Sequence, residues 1–318
     1  MDIRQLKYFA RIVELENMTA AAQSLFVAQP SLSQHVANLE TELGTKLLTR
    51  GVQGTRPTPA GEKLYRYAKA ILRQVEEATT ALKLEQDVPT GRVSVGLHAS
   101  TMQMIGFELV RRGQRDYPHI ALEILESTNA ALVDLINRQQ LDIAVAADIR
   151  ASANIETTPL VVEELLLVGP ADATLPAPAQ LSDLQGLALI LPSFPNSVRM
   201  KVENACIQHH LQYTVVTETA VATLMTTLVR EGMGWSILPW ATTLTGGTGI
   251  RYIEFEGQPL TRTLSLCTSR SAAATPACQA IRQLIETVMC EKVADGSWRH
   301  TELHPGHVLT PTESRCPG

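Results

Sequence analysis

Cysteine is scarce in this sequence, and its spacing suggests no disulfide framework. The 318 residues include five cysteines, an odd number, spread from Cys206 to Cys316. A chain of this length can bury enough apolar surface to fold without cross-links. We therefore expect reduced thiols, as in cytoplasmic proteins.

Long apolar runs are also missing, which argues against a membrane protein. No uninterrupted apolar stretch approaches the roughly 18 to 20 residues that cross a bilayer. The first residues, MDIRQLKYF, mix charged and apolar side chains and lack the apolar centre of a secretory signal. We therefore expect a cytoplasmic protein with no membrane partner, large enough for two or three domains.

Motifs of several enzyme classes are absent as well. The sequence contains neither the G-x-S-x-G turn of hydrolases nor a Walker A loop. Gly232-Met233-Gly234 precedes a predicted strand, whereas a dinucleotide-binding motif opens a helix. Cys206, His209 and His210 have partial metal-ligand spacing, but no second pair of ligands matches them. We predict no enzyme activity, no cofactor and no metal site.

Charge is divided unevenly along the chain. Residues 1–75 hold ten lysines and arginines against six aspartates and glutamates, although the whole chain has a net charge of −5. A basic front on an acidic body suggests that the front meets a polyanion.

Three helices are predicted within this basic front. Apolar residues at helical spacing predict a first helix around Leu6 to Val13 and a third from Pro30 to Leu43. Thr19 is the candidate N-cap of a second, shorter helix between them. The side of the third helix away from its apolar stripe carries uncharged hydrogen-bonding groups: Ser31, Ser33, Gln34 and Asn38.

A short helix, a turn and a helix with a polar outer face are the plan of a helix-turn-helix. In that motif the N-terminal residues of the second helix reach base edges in the major groove. Gln can contact adenine through two hydrogen bonds, and Ser can bond to many base edges or to phosphate. No carboxylate precedes Glu40 on this helix to repel phosphate. The alternative is an ordinary solvated helix, and the flanking segments decide against it.

The following segment predicts a basic hairpin and a long helix. Leu47 to Arg50, a Gly51–Gly54 turn and an extended piece to Arg56 form a candidate wing for the sugar-phosphate backbone. Thr58-Pro59 supplies an N-cap and a first-turn proline. Steps of four and three then give a heptad pattern, which favours pairing of two chains and a roughly two-fold symmetric operator. Its members are Leu64, Ala68, Ile71, Val75, Ala78 and Leu82.

Three segments carry a family resemblance: RQLKYF, MTAAAQSLFVAQPSLSQHVANLETELGTKLLTR and PTPAGEKLY. They closely resemble the N-terminal domain of LysR-type transcriptional regulators. Within that family, their sequence is most similar to the nitrogen-assimilation-control group. Two further segments resemble the effector domain of the same family, namely LDIAVA and EGMGWSILP. The resemblance is dense over the first 90 residues and extends to about residue 292. Strands that alternate with helices after residue 92 independently predict an α/β body with a largely parallel sheet.

The fold implied by the resemblance is a winged helix-turn-helix with a long linker helix, followed by a two-lobed α/β effector domain like a periplasmic solute-binding protein. We assign the DNA-binding domain to residues 1–58, the dimerising linker helix to 59–87 and a hinge to 88–91. The effector domain covers 92–292, with lobe I at 92–161 and 266–292 and lobe II at 162–265. Residues 293–318 are rich in turn formers, and we predict a flexible tail there.

Site residues follow from the same resemblance, position by position. It implies base contacts from Gln29, Pro30, Ser31, Ser33 and Gln34, and backbone contacts from Thr19, Arg50, Arg56 and Thr58. For the effector, hydroxyl and amide groups at strand ends and helix starts would suit a small organic anion. These are Ser100, Thr101, Ser127, Thr128, Ser193, Asn196, Ser197 and Thr219. Helix capping alone is the alternative explanation for them.

Two further positions carry expectations. Trp235 could line the predicted effector cleft between the two lobes or pack within the fold, and packing is the interpretation we favour. At Gln139 the family commonly has glycine in a left-handed conformation, so glutamine would cost about 1 kcal/mol if that geometry is kept.

The resulting interpretation is a homodimeric or homotetrameric regulator that binds double-stranded DNA and a small-molecule effector, with RNA polymerase as a further candidate partner. A plain solute-binding protein is a rival interpretation, and the missing export signal counts against it. A hydrolase built on the α/β body is another, and the missing nucleophile motif counts against that one.

Overall fold

The computed structural model describes most of the chain, namely residues 1–51, 54–83, 88–152, 154–257, 259–270, 272–273 and 275–306. The side chains of residues 50, 73, 76, 77 and 80–83 are outside this description. Residues 1–88 together with 138–140 form one compact unit, and the rest of the chain forms a second. We describe each unit by itself.

The N-terminal unit contains the predicted helix-turn-helix, wing and long helix. Its elements are α1 (Ile3–Leu15), α2 (Met18–Ser24), α3 (Gln29–Leu43), β1 (Leu48–Gly51), β2 (Gly54–Pro57) and α4 (Pro59–Lys83). β1 and β2 pair in antiparallel register, with Thr49 opposite Arg56. The first three helices share one apolar core, in which Phe9, Ile12 and Leu32 are completely buried. This core fixes which side of α3 faces outward.

The capping expectations have different outcomes at the two threonines. Thr58 behaves as predicted, since its Oγ1 accepts the N–H of Gly61 at 3.0 Å. The cap predicted at Thr19 is wrong: Asn17 caps α2, and its Oδ1 accepts the N–H groups of Thr19 and Ala20 at 2.9 and 3.0 Å. Asn is at least as good an N-cap as Thr, and here it stands in extended backbone two residues earlier.

The second unit is an α/β body, with ten strands among its described residues. Its strands are β3 (Gly91–Leu97), β4 (Ile120–Glu126), β5 (Ile143–Ala147), β6 (Ile155–Pro170), β7 (Ala188–Leu191), β8 (Thr214–Glu218), β9 (Ser236–Pro239), β10 (Ile250–Ile253), β11 (Thr261–Ser269) and β12 (Thr301–Leu303). Its helices are α5 (Ala99–Asp116), α6 (Asn129–Asn137), α7 (Ser197–Gln208), α8 (Ala222–Arg230), α9 (Trp240–Thr243) and α10 (Pro276–Ala294).

Two long strands connect the lobes of this body. The main sheet has the order β10-β6-β11-β5-β3-β4, in which β3 is parallel to both β4 and β5. β6 and β11 pair in antiparallel fashion along most of their length. The first half of β6 belongs to the lobe I core, whereas its second half also pairs with β9 and β10 of lobe II. β6 and β11 therefore run continuously between the two cores, and we call them the hinge strands.

The predicted flexible tail is wrong for residues 293–306. α10 continues to Ala294, and β12 pairs with β6 between Val161 and Glu163. Trp298 is only 1% exposed and belongs to the lobe I core. A three-residue strand and one anchoring tryptophan leave no periodicity in the sequence, which is why the pattern there resembles a tail. Residues 307–318 of the predicted tail lie outside the described residues.

Gln139 adopts the left-handed conformation that the family resemblance implied. Its φ is 57°, just beyond the end of α6 at Asn137. A side chain with a β-carbon is strained there, so the turn is kept at a cost of about 1 kcal/mol.

Candidate DNA-reading surface and effector cleft

The N-terminal half of α3 presents its polar side chains to solvent. Leu32, Val36 and Leu39 are at most 2% exposed and hold the inner side of the helix. The predicted base-reading residues lie on the other side: Gln29, Pro30, Ser31 and Gln34 are exposed, and Ser33 is half-buried. We call these five residues the α3 face. The structure thus brings together every residue of the predicted base-reading set.

Asn38 supports this face although it is not predicted to read bases. The Nε2 of Gln34 donates a hydrogen bond to the Oδ1 of Asn38 at 2.8 Å, one helical turn away. This bond restricts the rotamers of Gln34 and leaves its Oε1 exposed as an acceptor. An orienting role of this kind is visible only once the helix is built.

Glu40 fixes the wing to the end of α3. Its carboxylate accepts hydrogen bonds from the Nζ of Lys46 at 2.7 Å and from the backbone N–H groups of Leu47 and Leu48 at 2.9 and 3.2 Å. Burial would raise the pKa of Glu40, but the bonds from Lys46 and the two N–H groups outweigh it, so the pKa is lowered. A charged Glu40 therefore faces the fold and keeps its charge away from the α3 face.

The four residues predicted to contact the DNA backbone have different environments. Thr19 is exposed on α2, and Arg56 is exposed on the second strand of the wing. Thr58 is already occupied, because its hydroxyl donates to the carbonyl of Lys46 at 2.7 Å while it caps α4. The backbone of Arg50 lies in β1, but its side chain is outside the described residues.

The predicted effector residues of lobe I lie at the carboxyl edge of the parallel strands. Ser100 and Thr101 begin α5 after β3, and Ser127 and Thr128 follow β4. The N–H of Ser127 donates to the carbonyl of Leu97 at the end of β3, at 3.1 Å, so the two loops are adjacent.

Lobe II faces this edge through the start of α7. Ser193, Asn196 and Ser197 lie between β7 and the first turn of α7. Lys201, one turn further on, pairs across the lobes with Asp148 after β5, with 3.3 Å between Nζ and Oδ1. This ion pair brings α7 close to the carboxyl edge of lobe I, and we call the region between them the candidate effector cleft.

Helix capping, the alternative explanation, applies to part of the set. Asn196 caps α7, since its Oδ1 accepts the N–H of Val198 at 2.9 Å, whereas Thr219 Oγ1 accepts the N–H of Val221 at 3.2 Å in the turn before α8. Thr128 Oγ1 accepts the N–H of Ala131 at 3.4 Å. Thr128 and Thr219 both accept through the hydroxyl oxygen and keep a hydroxyl proton to offer a ligand, and Thr128 is the more exposed of the two.

Ser100 belongs to a buried polar chain that the sequence does not reveal. Its Oγ accepts the Nη2 of Arg262 at 2.6 Å. The Nε of Arg262 donates to Glu163 Oε2 at 2.8 Å, and the indole Nε1 of Trp298 donates to Glu163 Oε1 at 3.0 Å. All four side chains are at most 2% exposed. The chain therefore joins the cleft to both hinge strands and to the C-terminal segment.

His98 completes this chain beside the cleft. Burial, together with the positive charge of Arg262, lowers the pKa of His98 to about 3, so the imidazole is neutral. Its Nδ1 lies 3.4 Å from Ser100 Oγ, where the neutral ring can accept the serine hydroxyl. The hydroxyl proton of Ser100 is thus used inside the protein, and the residue is less available to an effector than predicted.

Thr101 is a further buried member of the predicted set, as are Ser100 and Ser197. Its side chain is completely buried, and its Oγ1 has no hydrogen-bond partner among the described residues. Trp235 packs as expected, because its ring covers Gly169 of β6 and a β-carbon there would collide with it.

Arg262, Glu163, His98 and Trp298 are the residues that sequence reasoning missed. One signal was available: Glu163 and Glu164 interrupt an otherwise apolar strand, where a carboxylate needs a buried partner. The partner could not be named from the sequence, because Arg262 is 99 positions away.

Other expectations concern metals, thiols and membranes. The described part of the chain holds no group of three or more His, Cys, Asp or Glu side chains that could bind a metal ion. Four cysteines, Cys206, Cys267, Cys278 and Cys290, are buried and form no disulfide, while Cys316 lies outside the described residues. None of the described helices is both long and apolar enough to cross a bilayer.

Comparison with known families covers both units. Residues 3–62 match the family described as bacterial regulatory helix-turn-helix protein, lysR family, and residues 86–290 match the LysR substrate binding domain. The nitrogen assimilation regulatory protein nac of Escherichia coli is 34% identical over 301 residues, which is 93% of this chain and 97% of that protein. Its counterpart in Klebsiella aerogenes is 35% identical over 291 residues, 90% of this chain and 94% of that protein.

Solved structures agree with these matches. A full-length variant of OxyR from Pseudomonas aeruginosa has a TM-score of 0.71 and 25% identity over 91% of this chain and 94% of that one. Full-length CbnR complexed with its target DNA has a TM-score of 0.69 over 91% of this chain and 100% of that one, and at 21% identity it shows the fold alone. The matched relatives are transcriptional regulators and not enzymes, as predicted. The chain belongs to the LysR family of DNA-binding transcriptional regulators, with an N-terminal helix-turn-helix and a C-terminal effector-binding domain.

Proposed function

We propose that the α3 face reads an operator sequence in the major groove. The observation that carries this proposal is the pairing of an entirely buried inner side of α3 with an outer side of exposed, uncharged hydrogen-bonding groups. Arg56 and Thr19 would hold the phosphates, together with Arg50. Thr58 would support the wing through its internal hydrogen bonds rather than through its hydroxyl on DNA.

Gln34→Ala tests the base-reading proposal. Loss of one good base contact costs about 1–3 kcal/mol, so affinity for the operator should fall about tenfold or more while affinity for random duplex stays nearly constant. Both are measured by fluorescence anisotropy at one salt concentration. Thr41→Ala, an exposed polar change near the other end of α3, is the matched control and should leave both affinities unchanged. Equal losses on operator and random duplex for Gln34→Ala would contradict base reading.

We propose further that α4 pairs two chains, with a dimer or a tetramer as the working form. The helix has 25 residues, which is about 37 Å. Ala68 is completely buried, but Val75, one heptad later, is 40% exposed, and Ala78 is also exposed. An apolar stripe that is covered in its first half and uncovered in its second suits a second copy of the helix. Two copies would read a roughly two-fold symmetric site.

The cleft would bind a small organic anion. Three features support this: the starts of α5 and α7 border the cleft, exposed hydroxyls stand at Ser193 and Thr128, and Arg262 lies beneath Ser100. Ligand binding between the lobes would shift the population between two arrangements of the paired DNA-binding domains in the oligomer. We place this activity in the cytoplasm, with RNA polymerase as a candidate partner at the promoter.

A thermal-shift screen with small mono- and dicarboxylates tests the cleft. A carboxylate that raises the Tm of the full-length chain should lose this effect in the double variant Thr128→Ala, Ser193→Ala, whose DNA affinity should equal that of the unmodified chain. A shift that persists in the double variant would place the ligand elsewhere.

A further inference from the structure

The turn between α2 and α3 carries one unusually placed side chain. Phe26 is 96% exposed, whereas Leu25 and Val27 on either side are half-buried against the core. The chain therefore alternates inward, outward and inward, and the phenylalanine ring is left almost entirely to solvent by the part of the chain that the structure describes.

The backbone of Phe26 makes this placement costly. Its φ is 55°, in the left-handed region where a bulky side chain is a genuine outlier. The N–H of Phe26 bonds to the carbonyl of Gln23 at 3.1 Å, and that of Val27 bonds to the carbonyl of Ala22 at 3.0 Å. These two bonds form a Schellman motif that ends α2, and Phe26 occupies the position where glycine is usual.

Neither packing nor local geometry therefore explains a phenylalanine at this position. Glycine would remove the strain and asparagine would reduce it, and either would avoid exposing an aromatic ring to water. Strained residues persist mainly where function requires the side chain. The functional partner must then lie outside the free monomer.

The turn leads directly into the α3 face, the part of the chain that we propose to meet DNA. Phe26 stands three residues before Gln29, the first residue of α3 and of the α3 face. Most of the α3 face is polar and suited to hydrogen bonding, but thymine also presents an apolar C5-methyl group in the major groove, which phenylalanine can contact. An exposed ring at the entry to the recognition helix is complementary to that methyl group.

We propose that Phe26 is a specificity-determining residue that contacts a thymine methyl group at the edge of each half-site. This inference rests on the proposed base-reading role of the α3 face and adds an apolar element to it. Each DNA-binding domain of a dimer would contribute one such contact, so the operator would contain a required thymine in each half.

The test uses the full-length chain and a duplex that this chain selects from a random library. Phe26→Gly should lower affinity for the selected duplex about tenfold, change affinity for random duplex less than twofold, and leave the Tm unchanged or higher. The retained Tm separates lost contact from lost folding. Phe26→Leu, which keeps an apolar side chain, should lose less affinity than Phe26→Gly.

A change in the DNA identifies the contacted group. Each dT of the selected duplex is replaced in turn by dU, which removes only the methyl group. One replacement in each half-site should weaken binding of the unmodified chain about fourfold, the ordinary value for one buried methyl group, and should have no effect on Phe26→Gly.

Three outcomes would overturn the inference: no affinity loss in Phe26→Gly, an equal loss on random duplex, or a dU effect that persists in the variant. An unchanged affinity combined with reduced transcription would assign Phe26 to a protein partner instead. Gln34→Ala, measured in parallel, separates this failure from that of the base-reading proposal, because a selective loss in Gln34→Ala would keep base reading intact even where Phe26→Gly has no effect.

Discussion

The two candidate sites of this protein use polar side chains in opposite ways. On the α3 face, Gln29, Ser31 and Gln34 are exposed, and the side chain of Gln34 is linked only to Asn38 one turn along the same helix among the bonds described for it. In the effector cleft, Ser100 is 2% exposed and bonded to Arg262, and Asn196 is used as a helix cap. Substitutions at the first site should therefore change binding, whereas many at the second should also change stability.

This contrast follows from what each surface meets. A DNA-reading face must offer donors and acceptors that have no partner within the protein. Water bonds to them in the free protein, and bases replace that water in the complex. A cleft at a hinge is closed by protein on several sides, so its polar groups need partners inside the fold. The four predictions below test that contrast, beginning with the largest expected effect.

Glu163→Gln should lower the free energy of unfolding by about 3–5 kcal/mol, because it leaves the buried guanidinium of Arg262 without its compensating charge. Urea unfolding of the full-length chain measures the loss. Glu123→Gln is the matched control: it removes a similar pair with Arg92, but one whose side chains are 70% and 53% exposed. That control should cost less than about 1 kcal/mol. Equal losses of unfolding free energy in the two variants would mean that burial of the Glu163–Arg262 pair does not matter.

His98 should make stability depend on pH. In the unfolded chain it takes up a proton below its ordinary pKa of 6.5, whereas in the folded chain it does so only near 3. Above about pH 6.5 the neutral His98 takes nothing from the free energy of unfolding. As the pH falls from there toward 3, that free energy decreases, because only the unfolded chain takes up the proton. At about pH 5 the loss is about 2 kcal/mol.

The measurement compares the unmodified chain with His98→Asn by calorimetry between about pH 7.5 and pH 5. The stability advantage of the unmodified chain over the variant should shrink by about 2 kcal/mol across this range. An advantage that stays constant would show that His98 is not buried in its neutral form.

Thr58→Ala and Thr19→Ala sharpen the comparison within the DNA-binding domain. Thr58 caps α4, so its loss should cost about 1 kcal/mol of stability, while exposed Thr19 should cost almost none. Thermal unfolding measures both. Thr19→Ala should nevertheless weaken binding to random duplex if it contacts phosphate. A stability loss at Thr19 equal to that at Thr58 would contradict these assignments.

Gln139→Gly has the smallest expected effect, a stabilisation of up to about 1 kcal/mol, because glycine adopts a positive φ without strain. Gln139→Ala keeps a β-carbon and should not stabilise, which makes it the control. A higher Tm for the alanine variant than for the glycine variant would show that the left-handed geometry is not the cause.

The secondary-structure predictions for the N-terminal domain rest on patterns of residues that are close in sequence. Helical spacing placed α1 and α3, glycines placed the wing, and Thr58-Pro59 placed the start of α4, since each depends on residues close in sequence. The cap at Thr19 failed because the helix begins two residues earlier, where Asn17 accepts the N–H groups of Thr19 and Ala20, and the sequence alone does not rank the two starting points. Phe26 went unnoticed because only the folded turn shows that its ring is exposed and its φ positive.

The sequence by itself determined the family and the order of the domains, through segments that resemble LysR-type regulators. It also determined the side of α3 that faces outward, because helical periodicity acts over a few residues. Only the tertiary structure decided which cleft hydroxyls remain available. Arg262 reaches Ser100 across 162 positions, and Trp298 turns a predicted tail into part of the hinge. Such contacts depend on how strands from distant parts of the chain pack together, and no local pattern encodes them.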